Sequence, residues 1–272
     1  TNHNHPLIQK YFQDSNLNII ESKFKFEIKY RRDMKFLRKI KTMFVNIQKL
    51  MIRKTNPPQW HNLRRLEPIS KVFGFDRGTP IDRIYTNDFL GKNKHHIKGI
   101  VCEIAESTYT RQFGNNVIKA EVLHYTNDNP NATIIGDLTK YENLPKDYLD
   151  CFICTVTLNF IYDYKEAIRG IFHMLKPEGV ALVSVCGLVQ ISRYDYQRWG
   201  DYHRFSDMGI KKDFEEIFGN EIEVSTYGNV LAAVAELHGI AGEELSKDEI
   251  FYHDQDYQIL ITIVAKKTDK KS

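Results

Sequence analysis

Gly99-Ile-Val-Cys-Glu-Ile-Ala is the stretch whose reading decides the fold: a short apolar run opened by glycine, which reads as a buried strand. The same signal returns at Val117-Ile-Lys-Ala-Glu-Val-Leu, Ala132-Thr-Ile-Ile-Gly-Asp-Leu, Asp150-Cys-Phe-Ile-Cys-Thr-Val and Gly179-Val-Ala-Leu-Val-Ser-Val-Cys, with helical stretches such as Tyr164 to Leu175 between. Short apolar strands alternating with helices predict parallel βαβ units with helices on both faces of one sheet. Further on, Ile210 to Phe218 predicts a short amphipathic helix, and Glu221 to Ser225 and Tyr257 to Ala265 predict two more strands. From about Gly99 to Lys267 the chain is therefore expected to be a Rossmann-like α/β domain with a mostly parallel, doubly wound sheet. No internal repeat or low-complexity tract interrupts it.

Working outward, 272 residues with 42% hydrophobic and 27% charged side chains suffice for one large domain and an extension. Apolar runs are broken by charge before membrane-span length, and the first residues lack the order of a signal peptide, so a soluble, cytoplasmic location is expected. Cys102, Cys151, Cys154 and Cys186 all lie in strand-like runs without zinc-ligand spacing, so they read as core residues and no metal site is expected. A chain beginning at Thr1 reads as part of a longer protein or a processed one.

Charge divides the chain. Thr1 to Leu66 holds 15 Lys and Arg against 4 Asp and Glu, a net +11, while Glu67 to Ser272 holds 23 against 31, a net −8. An acidic main domain argues against nucleic acid as a partner, because duplex affinity rests on neutralising phosphates. From Lys23 to Lys54, apolar residues at Met34, Leu37, Ile40, Phe44, Ile47 and Met51, widened by Phe36, Met43 and Leu50, predict one long basic helix ended by Asn56-Pro57-Pro58. The expected organisation is a basic helical extension over 1–58 and the main domain over 59–272. The helix is open to two readings, packing on a neighbouring domain or lying on an anionic membrane.

In an open doubly wound sheet, ligands bind beyond the carboxyl ends of the strands, at the switch in strand order. That rule selects Glu103, Ala105 and Ser107 after the first strand, Glu121 in the second, Asp137 after the third, and Thr155 and Thr157 after the fourth. Acids at such positions suit ribose hydroxyls or an exocyclic amine better than a phosphate: Glu121 is the candidate for the ribose and Asp137 for the amine. A nucleoside-containing cofactor is expected.

The series Val101-Cys-Glu-Ile-Ala-Glu-Ser, Asp137-Leu, Leu149-Asp-Cys-Phe-Ile-Cys, Leu158-Asn-Phe-Ile and Met174-Leu-Lys-Pro-Glu-Gly-Val-Ala-Leu resembles the class I S-adenosylmethionine-dependent methyltransferases. The resemblance implies their Rossmann-like fold, S-adenosylmethionine as cofactor, and Asp137 and Leu138 beside its adenine. Arg77-Gly-Thr-Pro-Ile-Asp-Arg-Ile-Tyr, Ser107-Thr-Tyr-Thr-Arg-Gln-Phe-Gly, Arg198-Trp-Gly-Asp-Tyr-His-Arg-Phe and Tyr227-Gly-Asn-Val-Leu-Ala are similar to a narrower subgroup that accompanies or is fused to glycosyltransferases in surface-glycan assembly. A glycosyltransferase partner or domain is then expected. The family's glycine-rich first loop is altered, with Ala105, Glu106 and Ser107 where glycines are usual. Arg111, or Arg77 and Thr79, are the candidates to compensate at the cofactor carboxylate.

Methyl transfer to an alcohol needs an aligned acceptor and a base for its proton. The segment Ser192-Arg-Tyr-Asp-Tyr-Gln-Arg-Trp-Gly-Asp-Tyr-His-Arg-Phe offers His203, Asp201 and Asp195 among aromatic rings. His203 is the first candidate base; Asp201 either orients it or is the base itself, and Asp195 is the third candidate. His238 is a further contender whose apolar helical setting favours packing. Rings that cover C–H faces and charged groups that take hydroxyls suit a sugar, which makes Tyr194, Trp199, Tyr202 and Arg204 the candidate acceptor contacts. The expected activity is O-methylation of a sugar hydroxyl in a glycan or sugar-nucleotide-derived acceptor. Methylation of a small metabolite or protein, and a non-catalytic scaffold partnering a glycosyltransferase, remain as alternatives.

Overall fold

The computed structural model describes residues 34–51, 54–55 and 61–268. The expected course of the basic helix over Lys23–Asp33, and its stop at Asn56-Pro57-Pro58, lie outside the described residues. The chain divides into two units, Thr1–Arg65 and Leu66–Ser272. In the first, 34–51 form one helix, α1.

The second unit is an α/β domain. In chain order its elements are α2 (Ile81–Lys92), β1 (Gly99–Ile104), α3 (Thr108–Phe113), β2 (Val117–His124), β3 (Ile134–Ile135), β4 (Leu149–Thr155), α4 (Tyr164–Met174), β5 (Leu175–Cys186), α5 (Arg193–Tyr196), α6 (Asp207–Phe218), β6 (Ile222–Tyr227), α7 (Val230–His238), α8 (Lys247–Phe251) and β7 (Leu260–Lys266). One seven-stranded sheet runs in the order β3-β2-β1-β4-β5-β7-β6. The strands from β3 to β5 are parallel and β7 is antiparallel to both of its neighbours. This is the Rossmann-like, mostly parallel architecture of the class I methyltransferases. Strand order reverses direction between β1 and β4, so the crevice for a ligand opens at the carboxyl ends of these two strands.

Burial on both faces explains why the central strands read as continuous apolar runs. On one face, α4 presents Ala167, Ile168, Ile171 and Met174 at helical spacing, and with Ile210 and Phe214 of α6 they cover Phe152, Cys154 and Val183. On the other, Phe89 and Leu90 of α2 cover Val101, Cys151, Ile153 and Leu182. All four cysteines are buried and free, and burial pushes the thiols of Cys154 and Cys186 up to about 12. They are core residues, and no group of His, Cys, Asp and Glu among the described residues could hold a metal.

The third strand is shorter than its sequence suggests. Only Ile134 and Ile135 pair with β2, at Leu123 and His124. Thr133 turns its hydroxyl to accept the N–H of Val122, and Asp137 caps the 3-10 turn Leu138–Asn143 by accepting from Thr139 N at 2.9 Å. That turn is seated on α4 at Gly170, where a Cβ would collide with the carbonyl oxygen of Leu138. Gly170→Ala is expected to destabilise the domain by about 1–3 kcal/mol, the usual cost of overpacking, and to shift the segment carrying Asp137. Denaturant unfolding monitored by far-UV circular dichroism checks this, and a variant of unchanged stability would contradict the close approach.

Candidate active site

Two residues at the switch point have left-handed backbone. Ala105, directly after β1, has φ +68°, and Val156, directly after β4, has φ +46°. Left-handed backbone costs a non-glycine residue roughly 1–2 kcal/mol, and a β-branched one is a genuine outlier there. Two such residues on adjacent strand ends make the sharp turns that leave the crevice open. Ala105 thus keeps the glycine-type conformation without the glycine, held by Ala105 N donating to Leu123 O at 2.9 Å and Asn129 Nδ2 donating to Ala105 O at 2.7 Å. Ala105 and Glu106 are exposed at the edge, and Ser107 stands at the N-cap of α3 without a side-chain capping bond.

Glu103 sets the height of this loop. Its buried carboxylate accepts from Tyr109 N at 3.2 Å, Thr110 N at 2.9 Å and Thr110 Oγ1 at 3.0 Å, tying the start of α3 to β1. Burial raises its pKa, and those backbone N–H groups only partly offset the rise. Its oxygens hold protein, so Glu103 shapes the loop rather than contacting a ligand through its carboxylate.

Glu121 is not at the edge, contrary to its expected ribose role. It pairs with Cys102 in mid-sheet, while β2 runs on to His124. Its carboxylate is buried, accepts the Tyr148 hydroxyl at 2.6 Å and pairs with Lys119 Nζ at 2.7 Å. Burial pushes its pKa up, but hydrogen bonds from Lys119, Thr133 and Tyr148 more than reverse this and leave the carboxyl below its ordinary range. Glu121 is a brace between strands.

Arg77 and Thr79 are likewise committed elsewhere. Arg77 Nε donates to Glu244 Oε1 at 2.8 Å and its Nη2 meets Glu244 Oε2, while Thr79 donates through N and Oγ1 to Glu243 at 2.8 and 2.6 Å. Arg111 stays on α3 beside the loop, with Thr108 Oγ1 at 3.5 Å. Asp137 is part-exposed at the β3 side of the edge, Leu138 is buried in the core below it, and Thr155 closes β4, its carbonyl accepting from Thr157 Oγ1 at 2.9 Å.

Residues 187–205, after β5, form a strap across the sheet edge. Phe205 N donates to Cys186 O at the β5 end; Tyr202 N and His203 N donate to Asn159 O, just beyond β4, at 2.9 and 3.2 Å. Farther along, the Trp199 ring meets His124 and Tyr125 at the end of β2 edge-on, with centroids 6.1 and 6.4 Å apart. A segment anchored at β5, β4 and β2 necessarily overhangs the end of β1.

The strap is stapled by a residue expected to bind substrate. Arg204 pairs with Asp201 through both carboxylate oxygens, at 2.5 and 3.0 Å, and donates to the carbonyls of Val189, Gln190 and His203. Asp201, its side chain 1% exposed, also accepts from Ser192 N at 3.1 Å, and Asp195 accepts from Ser192 Oγ at 2.6 Å. Asp201 and Arg204 are thereby committed to holding the loop, while Asp195 gives one carboxylate oxygen to Ser192. Asp201→Asn should loosen the strap and lower thermal stability by about 1–3 kcal/mol, since Arg204 keeps its charge and loses its partner. Calorimetric melting reads this loss, and an unchanged melt would contradict the staple.

His203 remains. Its ring sits among Tyr162, Tyr164, Tyr202 and Phe205, and its Nε2 lies 2.9 Å from Tyr162 O. A carbonyl only accepts, so the neutral ring carries its proton on Nε2 and its lone pair on Nδ1. Tyr164 holds the ring edge-on at 4.7 Å and is itself fixed by its hydroxyl donating to Asp213 Oδ2 at 2.8 Å. Tyr162, Tyr194, Trp199 and Tyr202 leave much of their ring surface exposed. Tyr194 is covered on one side by the Arg198 guanidinium, 3.4 Å from its centroid. His238, at the end of α7, is remote from this cluster in role: its carbonyl accepts from Ile69 N and Ser70 N.

Asn159 escaped the sequence reading as a site residue, although it lies inside Leu158-Asn-Phe-Ile. It is 2% exposed, and its Oδ1 has no hydrogen-bond donor. A buried acceptor left unpaired costs about 1–3 kcal/mol, a state that Glu121 Oε2, Gln190 Oε1 and Glu236 Oε2 share among the described residues. The exposed loop at Ala105 and Glu106 and the part-exposed Asp137 stand at the carboxyl-end edge of the sheet.

Residues 97–183 match the family model described as a methyltransferase domain. Among solved structures, the chain is similar to a methyltransferase from Thermotoga maritima described as a possible histamine N-methyltransferase, at 15% identity, 77% of this chain, 100% of that one and a TM-score of 0.47. It is also similar to an S-adenosylmethionine-dependent methyltransferase from Archaeoglobus fulgidus, at 12% identity, 68% of this chain, 94% of that one and a TM-score of 0.45. No curated protein matches the chain. The chain carries a methyltransferase domain with the class I architecture. The domain match makes methyl transfer the chemistry of residues 97–183.

Proposed function

We propose that the protein is an O-methyltransferase acting on a sugar hydroxyl of a glycan or glycan precursor. The observation that carries this reading is the aromatic strap: the exposed rings of Tyr162 and Tyr202 lie beside His203, and Tyr194 and Trp199 are exposed farther along the same segment. Such rings cover the C–H faces of a pyranose.

S-adenosylmethionine, when bound, supplies a methyl group on a sulfonium, open to in-line attack. The chain's own residues have three tasks. Ala105 and Asp137 offer the cofactor a loop backbone and a carboxylate. The strap limits access of water and holds the acceptor ring. His203 accepts the hydroxyl proton at Nδ1 while Tyr162 O keeps the ring oriented through Nε2, and the resulting imidazolium then has a donor on each nitrogen.

The test is acceptor profiling with S-adenosylmethionine labelled in its methyl group, using sugar nucleotides and oligosaccharides against catechols, small amines and protein. Label on carbohydrate alone is the expected result; label on an amine or protein with none on carbohydrate would overturn the reading.

A further inference from the structure

We propose that α1 is a membrane-surface helix that lays its apolar face on an anionic bilayer. The proposal concerns the first unit and is independent of the acceptor.

At roughly 100° per residue, Phe36, Leu37, Ile40, Met43, Phe44, Ile47, Leu50 and Met51 fall in one arc of about 140° that contains no polar residue. The opposite side carries Lys35, Arg38, Lys39, Lys41 and Lys49, and no Asp or Glu occurs from 34 to 51. Lys39 and Lys41 border the apolar arc on its two sides, where their alkyl stems can lie along apolar surface while the ammonium groups reach outward. Among the described residues most of the apolar arc is exposed: Phe36 is 64% exposed and Phe44 63%, with Leu37, Met43, Ile47, Leu50 and Met51 exposed and Ile40 part-exposed.

Three occupants could cover such a face, and the pattern favours one. A second copy pairing as a coiled coil needs a narrow seam repeating every 3.5 residues, whereas this arc is broad, and two wholly basic helices would repel. A nucleic acid would take the basic side and leave the bulky apolar side in water. An anionic lipid surface takes both: acyl chains accept the Phe, Leu, Ile and Met side chains, and headgroup phosphates lie level with the flanking lysines. The helix lies on the bilayer rather than through it, for none of the described helices is long and apolar enough to cross a membrane.

The full chain should therefore sediment with vesicles of phosphatidylcholine containing about 30 mol% phosphatidylglycerol, and at least about tenfold less with phosphatidylcholine alone. Phe36→Asp with Phe44→Asp should abolish binding, and Lys39→Glu with Lys41→Glu should weaken it by about tenfold or more, with an equally strong loss on raising salt in the parent. These side chains are exposed, so melting of the variants should match the parent. Absence of sedimentation with anionic vesicles overturns the proposal, as does binding that survives the Phe36→Asp, Phe44→Asp change. A dimer in analytical ultracentrifugation that this change dissolves, without vesicle binding by the parent, would assign the face to a second copy instead.

Discussion

His203→Ala is expected to lower turnover on the true acceptor by about 10²–10⁴-fold while leaving S-adenosylmethionine affinity nearly unchanged. The reason lies in the hydrogen bond to Tyr162 O, which leaves the lone pair on Nδ1 and so gives the ring one defined basic atom. Without it, the attacking hydroxyl must release its proton to water beneath a strap that restricts water. His203→Gln, which has no basic nitrogen, should be as slow as the alanine variant. Steady-state kinetics with a calorimetric binding control reads both parts. Near-native turnover in either variant would remove His203 from the chemistry, and a matching loss of cofactor affinity would make it a structural residue.

A second large effect concerns the start of α2. Glu236 of α7 is buried there, against the N–H groups of Ile81 and Asp82 and beside the carboxyl of Asp82 and the hydroxyl of Tyr85. Burial first, then the nearby Asp82, push its pKa up to about 8. Between the unfolded value near 4.5 and the folded value near 8, the native state holds a proton that the unfolded chain has released. Stability should then be full below about pH 5 as far as this group is concerned, and should fall as pH rises toward 8, by roughly 3 kcal/mol or more. Burial also raises the pKa of Asp82, which acts in the same direction. Glu236→Gln removes the charge while keeping the shape, and is expected to flatten most of that decline. Denaturant midpoints measured from pH 5 to 8 check it; an undiminished slope in Glu236→Gln would place the proton elsewhere.

Much of the fold is legible because its central strands are buried on both faces, which forces the continuous apolar runs at Gly99, Asp150 and Gly179. The third run is the exception. Ala132 to Leu138 looks like a full strand, but Asp137 spends its side chain on the nearby N–H of Thr139, and such a local bond competes with ladder pairing. The candidate site is legible by region and not by residue. Glu121 reads as a ribose ligand within the second strand, and the sequence gives no sign that Lys119 and Tyr148 take its carboxylate. Likewise, Arg198-Trp-Gly-Asp-Tyr-His-Arg-Phe shows a base, acids and rings together. Only the folded chain shows that Arg204 takes Asp201, that Ser192 takes Asp195, and that His203 meets a carbonyl from Tyr162, 41 residues earlier. Asn159 is conspicuous by what its side chain lacks, and a missing donor has no signature in sequence.

The most direct test of the account is to titrate S-adenosylhomocysteine into a Trp60→Phe variant, in which Trp199 is the sole remaining tryptophan, and to follow its emission. Because the strap carries Trp199 to the end of β2, across the crevice between β1 and β4, saturable binding should change that emission in step with the calorimetric isotherm. Binding by calorimetry with no change at Trp199 would contradict the placement of the cofactor beneath the strap, and absence of binding would contradict the site itself.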